Sequence, residues 1–188
     1  GITISRNELG GLQLINHDLT MTSSLSNTAT LDLNGQSITA TSITNEWILK
    51  LQGDETVSVN PSLVTGSTVE YTATSGTRAI KNWTYTNAIV KINGIGGIFT
   101  LPGNLTALHL DVNAGTLAAT NQTITINGDV TIGASGVLTS TSGNFSILGK
   151  FSNSGTFTHN SGTVIFTGTE GVKTVDSGGN SFHHFSHT

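Results

Sequence analysis

Residues 115–168 read GTLAATNQTITINGDVTIGAS, then GVLTSTSGNFSILGKFSNS, then GTFTHNSGTVIFTG, when the chain is broken at Gly115, Gly136 and Gly155. The pieces repeat with a period of about 20 residues and agree position by position. Leu117, Leu138 and Phe157 fall together, as do Ile124, Phe145 and Val164, then Ile126, Ile147 and Phe166. Gly128, Gly149 and Gly168 form a further set, and Val130 matches Phe151. A fixed period of this size, with short alternating runs between Gly and Asn, marks a solenoid in which each repeat is one coil.

Outside this stretch the same grammar holds. Alternating pairs recur at Ile2/Ile4, Leu12/Leu14, Leu19/Met21, Leu31/Leu33, Val57/Val59, Val69/Tyr71 and Leu108/Leu110, and Trp47/Leu49/Leu51 reads as another core-facing run. Turn formers bound each run, and no apolar pattern of helical period is sustained. Pro61 and Pro102 sit between runs, where a missing N–H removes no ladder bond. The secondary structure is therefore all-β with very short strands. One 20-residue coil buries almost nothing alone. Stacked at about 4.8 Å, about nine coils form a rod roughly 40 Å long, with apolar ladders inside and Thr, Ser and Asn outside.

A longer period overlies the coils. Thr68–Gly76 resembles Thr163–Gly171, and Thr28–Gly35 resembles Asn121–Gly128. The chain thus divides into two tandem units of about 95 residues, roughly 1–88 and 89–188, within one continuous solenoid spanning 1–188. The run from Gly94 to Gly97 reads as a loop where one coil leaves the regular path.

Composition narrows the function classes. Charged residues make up 10% of the chain, against about a quarter in an ordinary soluble domain, so the surface is polar but nearly uncharged. The net charge of −4 comes from scattered acids, and no Lys/Arg cluster is present to bind nucleic acid or an anionic membrane. With no cysteine, disulfides, thiolate metal sites and Cys nucleophiles are excluded. No apolar run approaches the roughly 18 residues of a membrane span, and no signal-peptide pattern is seen. Starting and stopping on strand-like runs, the chain reads as a mature product or a piece of something longer.

The phrase Ser161-Gly162-Thr163-Val164-Ile165-Phe166-Thr167-Gly168, followed by Gly178-Gly179-Asn180-Ser181-Phe182, carries a resemblance. It is similar to units of bacterial secreted and cell-surface β-helix proteins, of the adhesin-like and autotransporter-passenger kind. In those proteins the final strand reads Phe-aromatic-Asn-Leu, whereas here His183, His184 and Phe185 follow Phe182. The resemblance implies a right-handed parallel β-helix at an extracellular surface. It carries no catalytic residue with it.

Candidate chemistry reduces to a few clusters. His183, His184 and His187 invite a metal site, but on a strand His183 and His187 share a face about 13 Å apart while His184 points away. His17, His109 and His159 are isolated at turn or outward positions. Polysaccharide cleavage needs converging carboxylates. Asp54 and Glu55 are adjacent and should face opposite sides; Asp32, Asp111 and Asp129 are separated by coils with no aligned acid, and Glu70 reads as outward. Asn34-Gly35 and Asn127-Gly128 read as turns rather than calcium loops.

No Gly-x-Ser-x-Gly elbow or phosphate loop is present. Thr-x-Thr pairs recur at Thr20/Thr22, Thr39/Thr41, Thr72/Thr74, Thr123/Thr125, Thr139/Thr141, Thr156/Thr158 and Thr167/Thr169, a pattern shared with ice-binding solenoids and with any Thr-rich sheet. On register, Thr139/Thr141 should stack on Thr156/Thr158. Trp83 and Tyr85 share a face that suits a glycan or partner, and the Asn82, Asn104, Asn121 and Asn144 sequons fit chance in so polar a chain.

The sequence thus leads to an extracellular, non-enzymatic structural or adhesive solenoid, with no catalytic, cofactor-binding or metal-binding residue assigned. Its expected partners are other copies or flanking repeats at open coil ends, and a glycan or protein at a surface. The rival readings are a polysaccharide-binding or polysaccharide-degrading β-helix and, after it, an ice-binding protein.

Overall fold

Short alternating runs cannot bury their apolar faces singly, and stacking resolves this. The computed structural model describes residues 2–4, 10–168 and 171–188. They form a parallel β-solenoid of about nine turns with no helix among them. One column of strands runs the length of the stack. It comprises Leu12–Gln13, Thr30–Asp32, Ile48–Leu51, Thr68–Tyr71, then residues 89–92, 109–112 and 130–132, then Phe151–Asn153 and Val175–Asp176. Every pairing is parallel and moves the chain up by one coil.

A second column joins residues 105–107, Ile124–Ile126, Asn144–Ile147, Thr163–Phe166 and His184–His187. At the other end Ile2–Ile4, Ser24–Asn27, Ser42–Asn45 and Ser62–Leu63 pair in the same manner. A third column stacks Thr77–Ala79, residues 98–100, 116–118 and 137–139, and Thr156–Thr158.

Inside, each column is an apolar ladder. Leu31, Leu49, Val69, Val90, Leu110, Val130 and Phe151 follow one another along the axis, all buried. Burying each such side chain contributes about 1.5–3 kcal/mol relative to exposure. The rungs read from residues 115–168 pair as the sequence periodicity requires: Leu117 with Leu138 and Phe157, Ile124 with Phe145 and Val164, and Val130 with Phe151.

The corners are where the chain is most constrained. Gly115 pairs with Gly136, and Gly155 follows one coil on, one residue before the Val137–Thr156 pair. A Cβ on Gly136 would lie 1.8 Å from the Val112 carbonyl oxygen, and one on Gly155 would lie 2.2 Å from that of Gly133. Coils pass too closely there for any side chain. At another corner Asn27 and Asn45 are buried and stacked, the Asn27 amide donating to Asn45 Oδ1 at 2.7 Å. The Asn45 amide goes on to the Trp47 and Thr68 carbonyls. Asn34 and Gly35 both adopt positive φ, and Gln36 N–H donates to the Leu33 carbonyl, so this Asn-Gly is a turn as expected.

Three expectations change. The run from Gly94 to Gly97 is no excursion: it lies inside the continuous strand Tyr85–Thr100, at a corner marked by register shifts between Ile92 and Asn93 and between Asn93 and Ile98. Trp47 is 39% exposed rather than core, because it sits between Ser42–Asn45 and Ile48–Leu51, where the alternation restarts. Finally, the stretches matched at the longer period occupy different columns. Thr68–Tyr71 stacks on residues 89–92, whereas Thr163–Phe166 stacks on Asn144–Ile147. The longer period is not a whole number of coils, so sequence likeness does not return the chain to the same side. Thr169 and Glu170, which fall within the second matched stretch, the former also completing the Thr167/Thr169 pair, lie outside the described residues.

Candidate functional site

The full-length column carries an unforeseen feature on its outward side. Pairing places Asp32 on Lys50, Lys50 on Glu70, Glu70 on Lys91, and Lys91 on Asp111. Five successive rungs therefore alternate in charge. Lys91 Nζ lies 3.5 Å and Lys50 Nζ 3.9 Å from the Glu70 carboxylate, and the Asn93 amide donates to Glu70 Oε1 at 2.6 Å.

Glu70, outward by alternation, is only 3% exposed because these neighbours cover it. Asp32, Glu70 and Asp111 do share one column, contrary to the sequence reading. Their sequence separations differ from coil to coil, which hid the alignment. Burial raises the Asp111 carboxyl above its usual range, while His109 and Lys91 pull it back. Asp129 is outside the column: its Oδ1 accepts the Lys150 backbone N–H, and its own N–H donates to His109 Nδ1.

Asp54 and Glu55 do face opposite ways. Asp54 is exposed and 2.5 Å from Arg78 Nε. Glu55 is buried and its carboxylate accepts three backbone N–H groups, from Gly35 at 3.1 Å, Gln52 at 2.5 Å and Gly53 at 2.8 Å. It holds a corner together, since those amides have no strand partner there. Lys81 Nζ binds the same corner through the carbonyls of Gly53 and Glu55.

Lys81 also closes a buried circuit. Its N–H donates to Tyr71 Oη at 2.8 Å, Tyr85 O–H donates to its carbonyl at 2.8 Å, and the two phenols are 2.6 Å apart. With the Tyr85 proton committed to the carbonyl, the Tyr71 hydroxyl must donate to Tyr85. Desolvation raises both phenols above the usual tyrosine value. Both therefore stay protonated at a pH where an unfolded chain ionises, and stability is expected to fall as pH rises past about 10. Tyr85→Phe strands the Tyr71 hydroxyl and the Lys81 carbonyl and is expected to cost about 1–3 kcal/mol, read from urea unfolding.

Beside this circuit, residues 80–83, Tyr85 and residues 101–105 border a notch of about 10 Å³, room for about one water. Trp83 and Tyr85 meet there with ring centres 6.3 Å apart, but Tyr85 is buried and only part of Trp83 is offered outward. The expected shared face exists, then, but as a packed edge rather than an open strip.

The third column shows a broader surface. Its outward positions are Thr77, Ile98, Thr116, Val137 and Thr156 in one file, and Ala79, Thr100, Ala118, Thr139 and Thr158 in the next. This face is uncharged over five rungs. Thr139 pairs with Thr158, so Thr156/Thr158 stacks on Val137/Thr139 and not on Thr139/Thr141, and Thr141 is buried. A corner at Ser140 intervenes, which the sequence pattern did not mark.

At the other end the strand begins at His184, leaving His183 outside it. The His183 and His184 rings therefore meet edge-on at 4.3 Å instead of facing apart, and His159 from the preceding coil lies 5.2 Å from His183. Among the described residues no three His, Asp or Glu side chains are disposed to hold one metal ion. Nearby, Phe151, Phe157 and Phe182 pack at 5.3–5.4 Å, and Phe185 covers Phe166 at 5.5 Å while remaining 54% exposed.

The charge column, the Glu55 corner and the tyrosine circuit were invisible as sites in the sequence. The one available signal was the clustering of Lys50, Glu70, Lys81 and Lys91 in an otherwise charge-poor chain. Compared with family models, curated proteins and solved structures, the chain matches none.

Proposed function

We propose that this chain is a structural or adhesive rod segment of an extracellular surface protein, acting by shape and by its uncharged faces rather than by catalysis. The observation that carries the reading is the unbroken column from Leu12–Gln13 to Val175–Asp176, which supports a stiff stack of coils. Its polar groups support the same role. Asp32, Glu70 and Asp111 alternate with lysines, which neutralises them along the column instead of leaving a carboxylate pair for acid–base work. The charge-poor Thr, Ser and Asn coat suits a secreted or surface-exposed rod.

The end rungs offer the means of extension. Leu12 is 40% and Val175 37% exposed, whereas the rungs between them are buried. A further coil of the same register, from flanking repeats or from another copy, covers these side chains and pairs the free strand edges. The five-rung Thr and aliphatic face is the surface offered sideways to a glycan or protein.

Small-angle scattering and sedimentation, with a polysaccharide hydrolysis panel, test this reading. The expected result is a rod roughly 40 Å long that lengthens at constant cross-section as concentration rises, with no sugar released. Released oligosaccharide would transfer the chain to the polysaccharide-acting class. Thermal hysteresis would transfer it to ice binding.

A further inference from the structure

The sequence holds three Asn-Gly steps, at Asn34, Asn93 and Asn127. Such a step is chemically labile because the glycine N–H, unhindered by a side chain, can attack the asparagine carboxamide. Cγ of the asparagine forms a bond to the glycine nitrogen, the Cγ–Nδ2 bond breaks, and ammonia leaves. Water then opens the resulting succinimide to aspartate or isoaspartate. The attack needs a free glycine N–H and a side chain at liberty to swing onto it, and the fold treats the three steps differently.

At Asn34 both requirements are blocked. The Gly35 N–H is committed to the buried Glu55 carboxylate at 3.1 Å, the Asn34 amide donates to the Leu14 carbonyl at 3.2 Å, and its Oδ1 accepts Gln52 Nε2 at 3.4 Å. At Asn93 the amide is tied down by donating to buried Glu70 at 2.6 Å.

Asn127 differs from both in its side chain. Its side chain is exposed and makes no hydrogen bond among the described residues, and it lies just beyond the strand Ile124–Ile126. The Gly128 carbonyl accepts the Gly149 N–H, while the Gly128 N–H has no acceptor among the described residues; Gly128 itself packs closely, an added Cβ falling 2.5 Å from the His109 ring and 2.7 Å from the Leu108 carbonyl oxygen. The backbone of Asn127 itself is tethered to the Ala107 carbonyl, so the step is held at the surface without being sealed.

We infer that Asn127 is a site of spontaneous deamidation in the folded protein, and that Asn34 and Asn93 are protected by the fold. Conversion places a new carboxylate two residues from Asp129, at the corner where His109 accepts the Asp129 N–H. The isoaspartyl product also lengthens the backbone at a corner whose register is set by the Asn127–Ala107 and Gly149–Gly128 bonds.

The folded chain is incubated at mildly alkaline pH and 37 °C, digested and mapped by mass spectrometry, beside a sample unfolded in urea. In the folded sample, conversion at Asn127 is expected to run several-fold faster than at Asn34 or Asn93. In urea the three rates converge, because only the local Asn-Gly sequence remains. An Asn127→Gln variant, whose longer side chain closes the ring poorly, should lose the acidic species that native charge separation resolves. Equal rates at the three sites in the folded chain, or an Asn127 as inert as Asn34, overturns the inference.

Discussion

Replacing Glu70 with lysine is expected to destabilise the solenoid by about 3–5 kcal/mol, the range for leaving buried charge uncompensated. The substitution puts Lys50, residue 70 and Lys91 on three consecutive rungs, turning two attractions into two repulsions at neighbouring strand positions. It also removes the acceptor of the Asn93 amide. Glu70→Gln separates these effects. It keeps an oxygen for Asn93 and a neutral shape between the lysines, so its cost should be smaller, about 1–2 kcal/mol. Urea unfolding at low and high salt distinguishes them. Raising the salt should narrow the gap between the variants, since half-exposed lysines are partly screened. An E70K variant as stable as E70Q at low salt would show that the column carries no electrostatic register.

The second large effect is expected at Gly136→Ala. The added methyl would sit 1.8 Å from the Val112 oxygen and 2.8 Å from its carbonyl carbon. Both are backbone atoms of the coil below and cannot rotate aside, so two coils must separate or the corner must distort. A cost of roughly 3 kcal/mol is expected, at the upper end of what overpacking usually produces. Gly66→Ala supplies the control. Gly66 has φ of +85° and nothing within 4 Å of an added Cβ, so only the left-handed backbone penalty applies, about 1 kcal/mol. Similar unfolding midpoints for the two variants would remove the close-approach account of the glycine corner.

These two positions illustrate what was legible. Gly136 was visible in the sequence because it opens one of three pieces that repeat, with Gly115 and Gly155 beginning the others. Their recurrence one coil apart reflects a steric demand made at the same corner each time, and a demand that repeats leaves a repeating residue. The inward ladders were legible for the same reason: Ile124, Phe145 and Val164 each face the axis, and only apolar side chains are stable there.

Glu70 was not legible. Its partners lie 20 residues before it at Lys50 and 21 after it at Lys91, and the Asp32 and Asp111 rungs lie at unequal further steps. Alternation called it outward, which is true of its strand, but outward residues on stacked coils bury one another. The His-bearing end shows the same gap. Alternation set His183 and His184 on opposite faces, yet the strand starts at His184 and the two rings touch.

By itself, then, the sequence determined the all-β character, the coil period, the apolar ladders and the glycine corners. Each follows from a local rule, whether pleat, turn or exclusion of a side chain, applied again in every coil. Only the tertiary structure decided which outward residues meet, because that depends on the summed lengths of all the corners between them. The charge column, the Glu55 corner, the Lys81–tyrosine circuit and the exposed Asn127 all belong to that second kind.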